Sequence, residues 1–272
     1  MIKVHFVLRA ALRAVREIHQ RFSPEWVSIL RQLGQHNNLY GPPNVTIVGA
    51  AGGLGPRYYP LARRTMIRAA GFEPEEEAYK RLVTRNGEIS WYPYALGDQN
   101  ATNKLYVTAN PRCSSCLAPN MDVLSKYPVA EWFVVRSTQQ VQLHRFDSLY
   151  EEGRIKFLPD FLHVDVQGFE FQVLQGIGKY IDDVTCIEIE THLKPIYRKQ
   201  RLFIDLKEDL ERKGFFLRSL EVQGYFEGEV LELNAYFVKW DRDLDDRSRS
   251  LVRIWERIFR LAPRPLLPAD CV

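Results

Sequence analysis

The spacing of apolar positions changes along the chain, and each change marks an element. NVTIVGA at 44–50 is a short β-branched run closing on Gly49 and Ala50, as a buried strand would. LARRTMIRAAGFEP at 61–74 holds a helix end and then a second apolar segment closing on Glu73 and Pro74. EEEAYKRLV at 75–83 is helical in composition, and the aromatic-rich EISWYPYALGD at 88–98 predicts a third strand. Residues 99–140 are irregular, with Asn, Pro and Ser clusters around 108–120. FLHVDV at 161–166 predicts a fourth strand, and FEFQVLQGIGKYI at 169–181 a helix. In that helix Phe169, Val173 and Ile177 recur at helical spacing, with Leu174 beside them. DVTCIEIET at 183–191 alternates as a fifth strand, and LFIDLKEDLERKGF at 202–215 is a helix stopped by Gly214. FFLRSLEV and LNAYFVKW complete the pattern as a final strand pair.

Strands alternating with helices predict an α/β fold, a mostly parallel sheet with helices on both faces. Residues 1–43 read as an N-terminal helical extension ending at Gly41-Pro42-Pro43. Residues 44–240 read as the main domain. Residues 241–272 read as a C-terminal amphipathic tail whose helix, RSLVRIWERIFRLAPRP, spans 249–265.

Composition narrows the function classes. At 272 residues one domain with terminal additions has ample core. Lys and Arg total 37 against 34 Asp and Glu, a net charge of +3, so no nucleic-acid partner is expected. No stretch approaches the roughly 20 apolar residues of a membrane span. Arg9 and Arg13 interrupt the apolar run of the N-terminus, which reads as an amphipathic helix rather than a signal peptide. A cytoplasmic protein is expected. Its amphipathic ends cap the domain or pair two chains, so a homo-oligomer stays open. The CSSC at 113–116 has C-x-x-C spacing but lies in a turn-rich stretch. No second pair and no paired histidines complete a zinc site.

In open parallel sheets, ligands sit at the carboxyl ends of the strands, which makes strand ends candidate site residues. The first end, VGAAGGLGPRYYP, carries Gly49, Ala50 and Gly52. It is either a tight strand-to-helix turn or a place where a ligand meets the backbone. The only G-x-G in this stretch is Gly53-Leu54-Gly55, and Tyr58 replaces the third glycine of a dinucleotide fingerprint. Glu73 ends the second strand at the distance where an acid can accept both ribose hydroxyls. Ribose recognition without a phosphate loop fits S-adenosylmethionine. Adenine can then pack on Ala95 and Leu96, with Asp98 near its amine or serving as a turn acid.

The run FLHVDVQGFEFQVLQG at 161–176 resembles the signature of FkbM-type methyltransferases, and VGAAGG, GFEP, YALGD, RFDSL and IEIE follow the family's order over roughly 44–240. The resemblance implies a class I, Rossmann-like fold: a seven-stranded sheet with the last strand antiparallel. It implies S-adenosylmethionine as methyl donor and O-methylation of sugars or secondary metabolites. Where the family usually has Asp, two residues before the glycine of the first motif, this chain has Ile47.

With that cofactor placed, Asp165 would lie beside the sulfonium methyl. There it can accept the alcohol proton, orient the hydroxyl, or hold a divalent cation if one is used. Gly168 permits a tight turn, and Glu170 sits in the first turn of the next helix, suited to its dipole. Glu188, Glu190 and His192 alternate and share one face. His192 is the second candidate base, close to neutrality without tuning, or else an exposed loop histidine; Glu190 is grouped with it. The expected acceptor is a saccharide or other small metabolite. Two rivals stand beside this reading: a non-catalytic nucleoside- or sugar-binding module, and an NAD-dependent oxidoreductase, disfavoured by the missing glycines.

Overall fold

The computed structural model describes residues 23–85, 89–240 and 244–261. Its main sheet has seven strands. In chain order they are β1 (Asn44–Val48), β2 (Arg68–Phe72), β3 (Ser90–Tyr92), β7 (Phe161–Val164), β8 (Cys186–His192), β9 (Phe215–Phe226) and β10 (Glu229–Lys239). Across the sheet the order is β3-β2-β1-β7-β8-β10-β9. The first five run parallel, and β10 alone is antiparallel to both neighbours. This is the class I, Rossmann-like arrangement expected from the sequence.

Side chains alternate between the two faces, so each face buries its own set. On one face Val45, Ile47, Phe161, Cys186, Tyr236 and Val238 pack with three helices. These are α1 (Pro24–Tyr40), α2 (Gly55–Ala62) and α8 (Asp246–Ile258). On the other, Val48, Leu162, Val164, Ile187, Ile189 and Phe237 meet α5 (Phe146–Glu151), α6 (Glu170–Ile177) and α7 (Phe203–Arg212). Between the faces in sequence lies α3 (Glu76–Arg85), whose Leu82 joins the first core.

The terminal helices are part of that core. Ser23 caps α1 by accepting from Trp26 N at 3.1 Å, and Asp245 caps α8 by accepting from Ser248 N at 2.7 Å. Ile29 and Leu33 of α1 share a cluster with Leu251 and Trp255 of α8. Arg247 pairs at 2.7 Å with buried Asp160, which also accepts from Asn44 N at 2.8 Å at the start of β1. The expected N-terminal helix over residues 1–22 and the end of the tail beyond 261 lie outside the described residues.

Two expectations are corrected here. The third strand ends at Tyr92, and Ala95–Leu96 form a separate strand, β4. It belongs to a second sheet, β4-β6-β5, with β5 (Ala101–Thr108) and β6 (Val135–His144). That ribbon lies in the stretch read as irregular. Most of β6 is exposed, so burial imposes little apolar alternation on its sequence. Between β5 and β6 the chain forms a small cap containing α4 (Met121–Leu124). There Cys113, Leu124, Tyr127 and Phe133 share a core with Ile196 and Tyr197.

Trp255 is fully buried, donates from Nε1 to the Tyr58 hydroxyl at 3.1 Å, and packs against Tyr236 and Phe259. Trp255→Ala is expected to cost about 3–5 kcal/mol, read as a lowered urea midpoint. A near-wild-type midpoint would mean that α8 is not part of the cooperative core.

Candidate active site

Strand register brings four predicted residues into one row. Val48 of β1 pairs with Phe72 of β2 and Val164 of β7, and Val164 pairs with Ile189 of β8. The next residues are therefore Glu73, Gly49, Asp165 and Glu190, in that order across the sheet. At a strand spacing of about 4.8 Å, Glu73 and Asp165 lie roughly 10 Å apart on either side of Gly49. Gly49 N donates to Phe72 O at 3.1 Å, and Asp165 N donates to Val48 O at 3.0 Å. Gly49 has φ +84°, and a Cβ there would lie 1.7 Å from Asp165 O. Only glycine lets the first loop close against the Asp165 backbone.

The turn after Asp165 is held by Glu170. Its Oε1 accepts from Gly168 N at 2.9 Å and Val166 N at 3.2 Å, and the residue is 1% exposed. Burial pushes its carboxyl up to about 8 against the pull of those backbone donors. Glu170 is thus a clamp on the turn as well as a first-turn acid. Gly168 at φ +94° leaves room for the Tyr197 ring, which a Cβ would meet at 2.8 Å.

Asp165 itself is half-buried. Gln167, at φ +56°, donates from Nε2 to Asp165 Oδ1 at 2.9 Å and to Glu190 Oε2 at 2.5 Å. Burial first, then Asp165 and Glu232, hold the Glu190 carboxyl well above the usual range. Burial also raises the Glu232 carboxyl. Among the described residues no Lys or Arg side chain forms an ion pair with Asp165, Glu170, Glu190 or Glu232. Gln167, Glu232 and Tyr197 were not found from the sequence. Only the Gln of DVQG carried a local signal.

His192 departs from expectation. It is fully enclosed, Gln200 Nε2 lies 2.7 Å from its Nδ1, and its Nε2 has no partner. Burial lowers its pKa to about 4, so it is neither an exposed loop histidine nor a base tuned near neutrality. Glu188 shares its face but is committed elsewhere. It pairs with His163 at 2.8 Å and with Arg57 of α2 at 3.6 Å. Burial alone would lower His163, but the Glu188 charge and hydrogen bond raise it.

The remaining candidates are scattered. Ala50 is buried against Gly71, and Gly52 is exposed on the short 3-10 turn of Ala50–Gly52. Leu96 packs in the core under α6, and Ala95 packs with Leu143 and Phe169. Asp98 lies on an exposed turn whose backbone carbonyl accepts from Arg145 Nη1 at 2.7 Å. Their sheet is not the one that carries the Glu73–Asp165 row. Ile47 is buried in the α1/α2/α8 core. Cys113 and Cys116 are free thiols that burial raises to about 11. Among the described residues no three His, Cys, Asp or Glu side chains are grouped to hold a metal ion. No described helix is long and apolar enough to cross a membrane.

Residues 49–217 match the family model of the methyltransferase FkbM domain. The chain belongs to the FkbM methyltransferase family. No curated protein matches it. Solved structures similar to this FkbM methyltransferase include the magnesium protoporphyrin IX methyltransferase of Synechocystis PCC 6803. That likeness has 12% identity and a TM-score of 0.39, covering 78% of this chain and 77% of that one. The N-methyltransferase NodS of Bradyrhizobium japonicum WM9 is similar at 11% identity and TM-score 0.38, covering 81% and 90%. Human methyltransferase-like protein 13 is similar at 14% and 0.37, covering 93% and 97%. These are distant likenesses.

As an FkbM methyltransferase the protein is an enzyme that uses S-adenosylmethionine. Its residues fit that cofactor. Among the described residues the carboxyl groups at the tip of β7 have no Lys or Arg partner, a set that suits a sulfonium, and Glu73 stands across Gly49 from them. Glu73 is 6% exposed and accepts from Glu75 N at 2.9 Å, and burial raises it to about 7.

The Glu170 clamp has a pH signature. Its folded-state pKa is raised, so its contribution to stability is full below about 4.5 and is lost as pH rises through about 8. Glu170→Gln keeps an acceptor without the ionisation. Relative to wild type it should gain about 3 kcal/mol in urea unfolding between pH 5.5 and 8.5. A pH-independent difference would show that Glu170 is ionised in the fold.

Proposed function

We propose that this methyltransferase transfers a methyl group to a hydroxyl of a saccharide or other small metabolite, with Asp165 as the base. The observation that carries the reading is the half-buried Asp165 carboxylate at the tip of β7, oriented by Gln167 and next to Gly49. When bound, S-adenosylmethionine supplies an electrophilic methyl on a positively charged sulfur. A neutral alcohol is a poor nucleophile until its proton has somewhere to go. Asp165 accepts that proton. Burial and the neighbouring carboxylates favour the protonated form of Glu190, and His192 is enclosed, so Asp165 is the better placed acceptor. Glu73 receives the ribose hydroxyls, and it does so best when ionised.

Purified protein is tested with labelled donor against a pool of free hexoses and 6-deoxyhexoses. Asp165→Asn should lower transfer about 10²–10⁴-fold, the usual contribution of a general base, with donor affinity by calorimetry changed only a few-fold. Glu73→Ala should weaken donor binding about 10- to 100-fold, the loss of hydrogen bonds to a charged group. Wild-type donor affinity should rise between pH 6 and 8 as Glu73 ionises through about 7.

One observation favours a second reading. Ile47 places an apolar side chain where the family usually has an acid, and a binding module needs no full donor site. Donor binding without transfer, unchanged by Asp165→Asn, would establish that module instead.

A further inference from the structure

The Tyr197 hydroxyl hydrogen-bonds the cap to the turn that follows Asp165. We infer that Tyr197 is a positioning residue that sets the orientation of Asp165 through Gln167 and so couples the packing of the cap to the reaction centre. The inference rests on the reading of Asp165 as the base, but the contact can be tested apart from it.

Tyr197 belongs to the cap. It is fully buried, and its ring packs edge-on against Phe133 at 5.9 Å and His192 at 6.2 Å. Its segment is stitched to the cap backbone by Arg198 N to Ala118 O and Asn120 N to Ile196 O, both 2.8 Å. The Tyr197 hydroxyl lies 2.9 Å from Gln167 Oε1 and 3.0 Å from Cys113 O. A phenol has one proton, so it satisfies one of these acceptors at a time.

Gln167 is fully spent. Its amide nitrogen serves two carboxyl groups, and its oxygen faces Tyr197. Turning the amide over would set its carbonyl against those same carboxyl oxygens, so its orientation is fixed by all three partners. The backbone is also held in the left-handed region, which is strained for a non-glycine residue. Surrounding contacts must maintain that conformation, and the Gly168–Tyr197 packing is one of them. Removing the hydroxyl leaves the Gln167 oxygen without a donor and frees the amide that orients Asp165.

Tyr197→Phe keeps the ring and removes only the hydroxyl. The direct readout is carboxyl-carbon NMR of aspartate-labelled protein at neutral pH, with Asp165 assigned by its absence in Asp165→Asn. Loosening of the Gln167 amide should move the Asp165 carboxyl resonance in Tyr197→Phe and lower kcat about ten-fold. Gln167→Leu should move the resonance at least as far. The double variant should add nothing, because both act on one contact. Calorimetric binding of S-adenosylhomocysteine should stay near wild type in Tyr197→Phe. An unmoved resonance, or independent shifts that add in the double variant, would overturn the inference. A moved resonance with transfer unaffected by Asp165→Asn would leave Tyr197 as a positioning residue and remove Asp165 as the base.

Discussion

The constraint on which this site depends is the cost of holding carboxyl groups together out of water. Asp165, Glu170, Glu190 and Glu232 occupy one corner of the sheet, each acting electrostatically on or with another. Ionisation of the three glutamates is opposed by burial and by neighbouring carboxyl groups, and the fold meets that cost in three ways. Burial favours the protonated forms of Glu170 and Glu190, backbone N–H groups point at Glu170, and the Gln167 amide spans Asp165 and Glu190. What remains is an acidic site with no Lys or Arg counter-ion among the described residues, suited to a ligand that brings its own positive charge.

The parts of this arrangement that obey local rules could be read from the sequence. Gly49, Glu73 and Asp165 each end a short apolar run, and parallel strands bring such ends into one row whatever their separation in sequence. The fold class followed from the same alternation of strands and helices. Glu170 was legible as a first-turn acid, but not as a clamp, because its partners depend on the left-handed turn at Gln167 and Gly168. Glu232 comes from the reversed strand, opposite His192, and Tyr197 comes from the cap. Neither contact has a sequence-local signal. His192 is enclosed rather than exposed, because periodicity gives the face of a strand but not what covers it. Ala95 and Leu96 read as the end of the third strand but pair in the second sheet, because two residues, Pro93 and Tyr94, are enough to end one strand and begin another.

The row one step below the active level shows a related displacement. Ile47 pairs in register with His163, and His163 with Glu188. The first strand is apolar at this level. The acid stands two strands away, bonded to His163 and facing Arg57 of the helix that follows the glycine turn. Polar chemistry is therefore concentrated on β7 and β8, while β1 contributes mainly backbone. The terminal helices complete the core on that same face through Leu33, Leu251 and Trp255, so the scaffold of the site draws on elements well outside the strand-end motifs.

The central claim is that Glu73, Gly49 and Asp165 surround a single nucleoside-bearing ligand. Diffraction from crystals soaked with S-adenosylhomocysteine tests it most directly. The account predicts ribose density against the Glu73 carboxyl and the sulfur above the tip of β7, within reach of Asp165. Density in which the ribose avoids Glu73, or a sulfur on the far side of the sheet from Asp165, would contradict it.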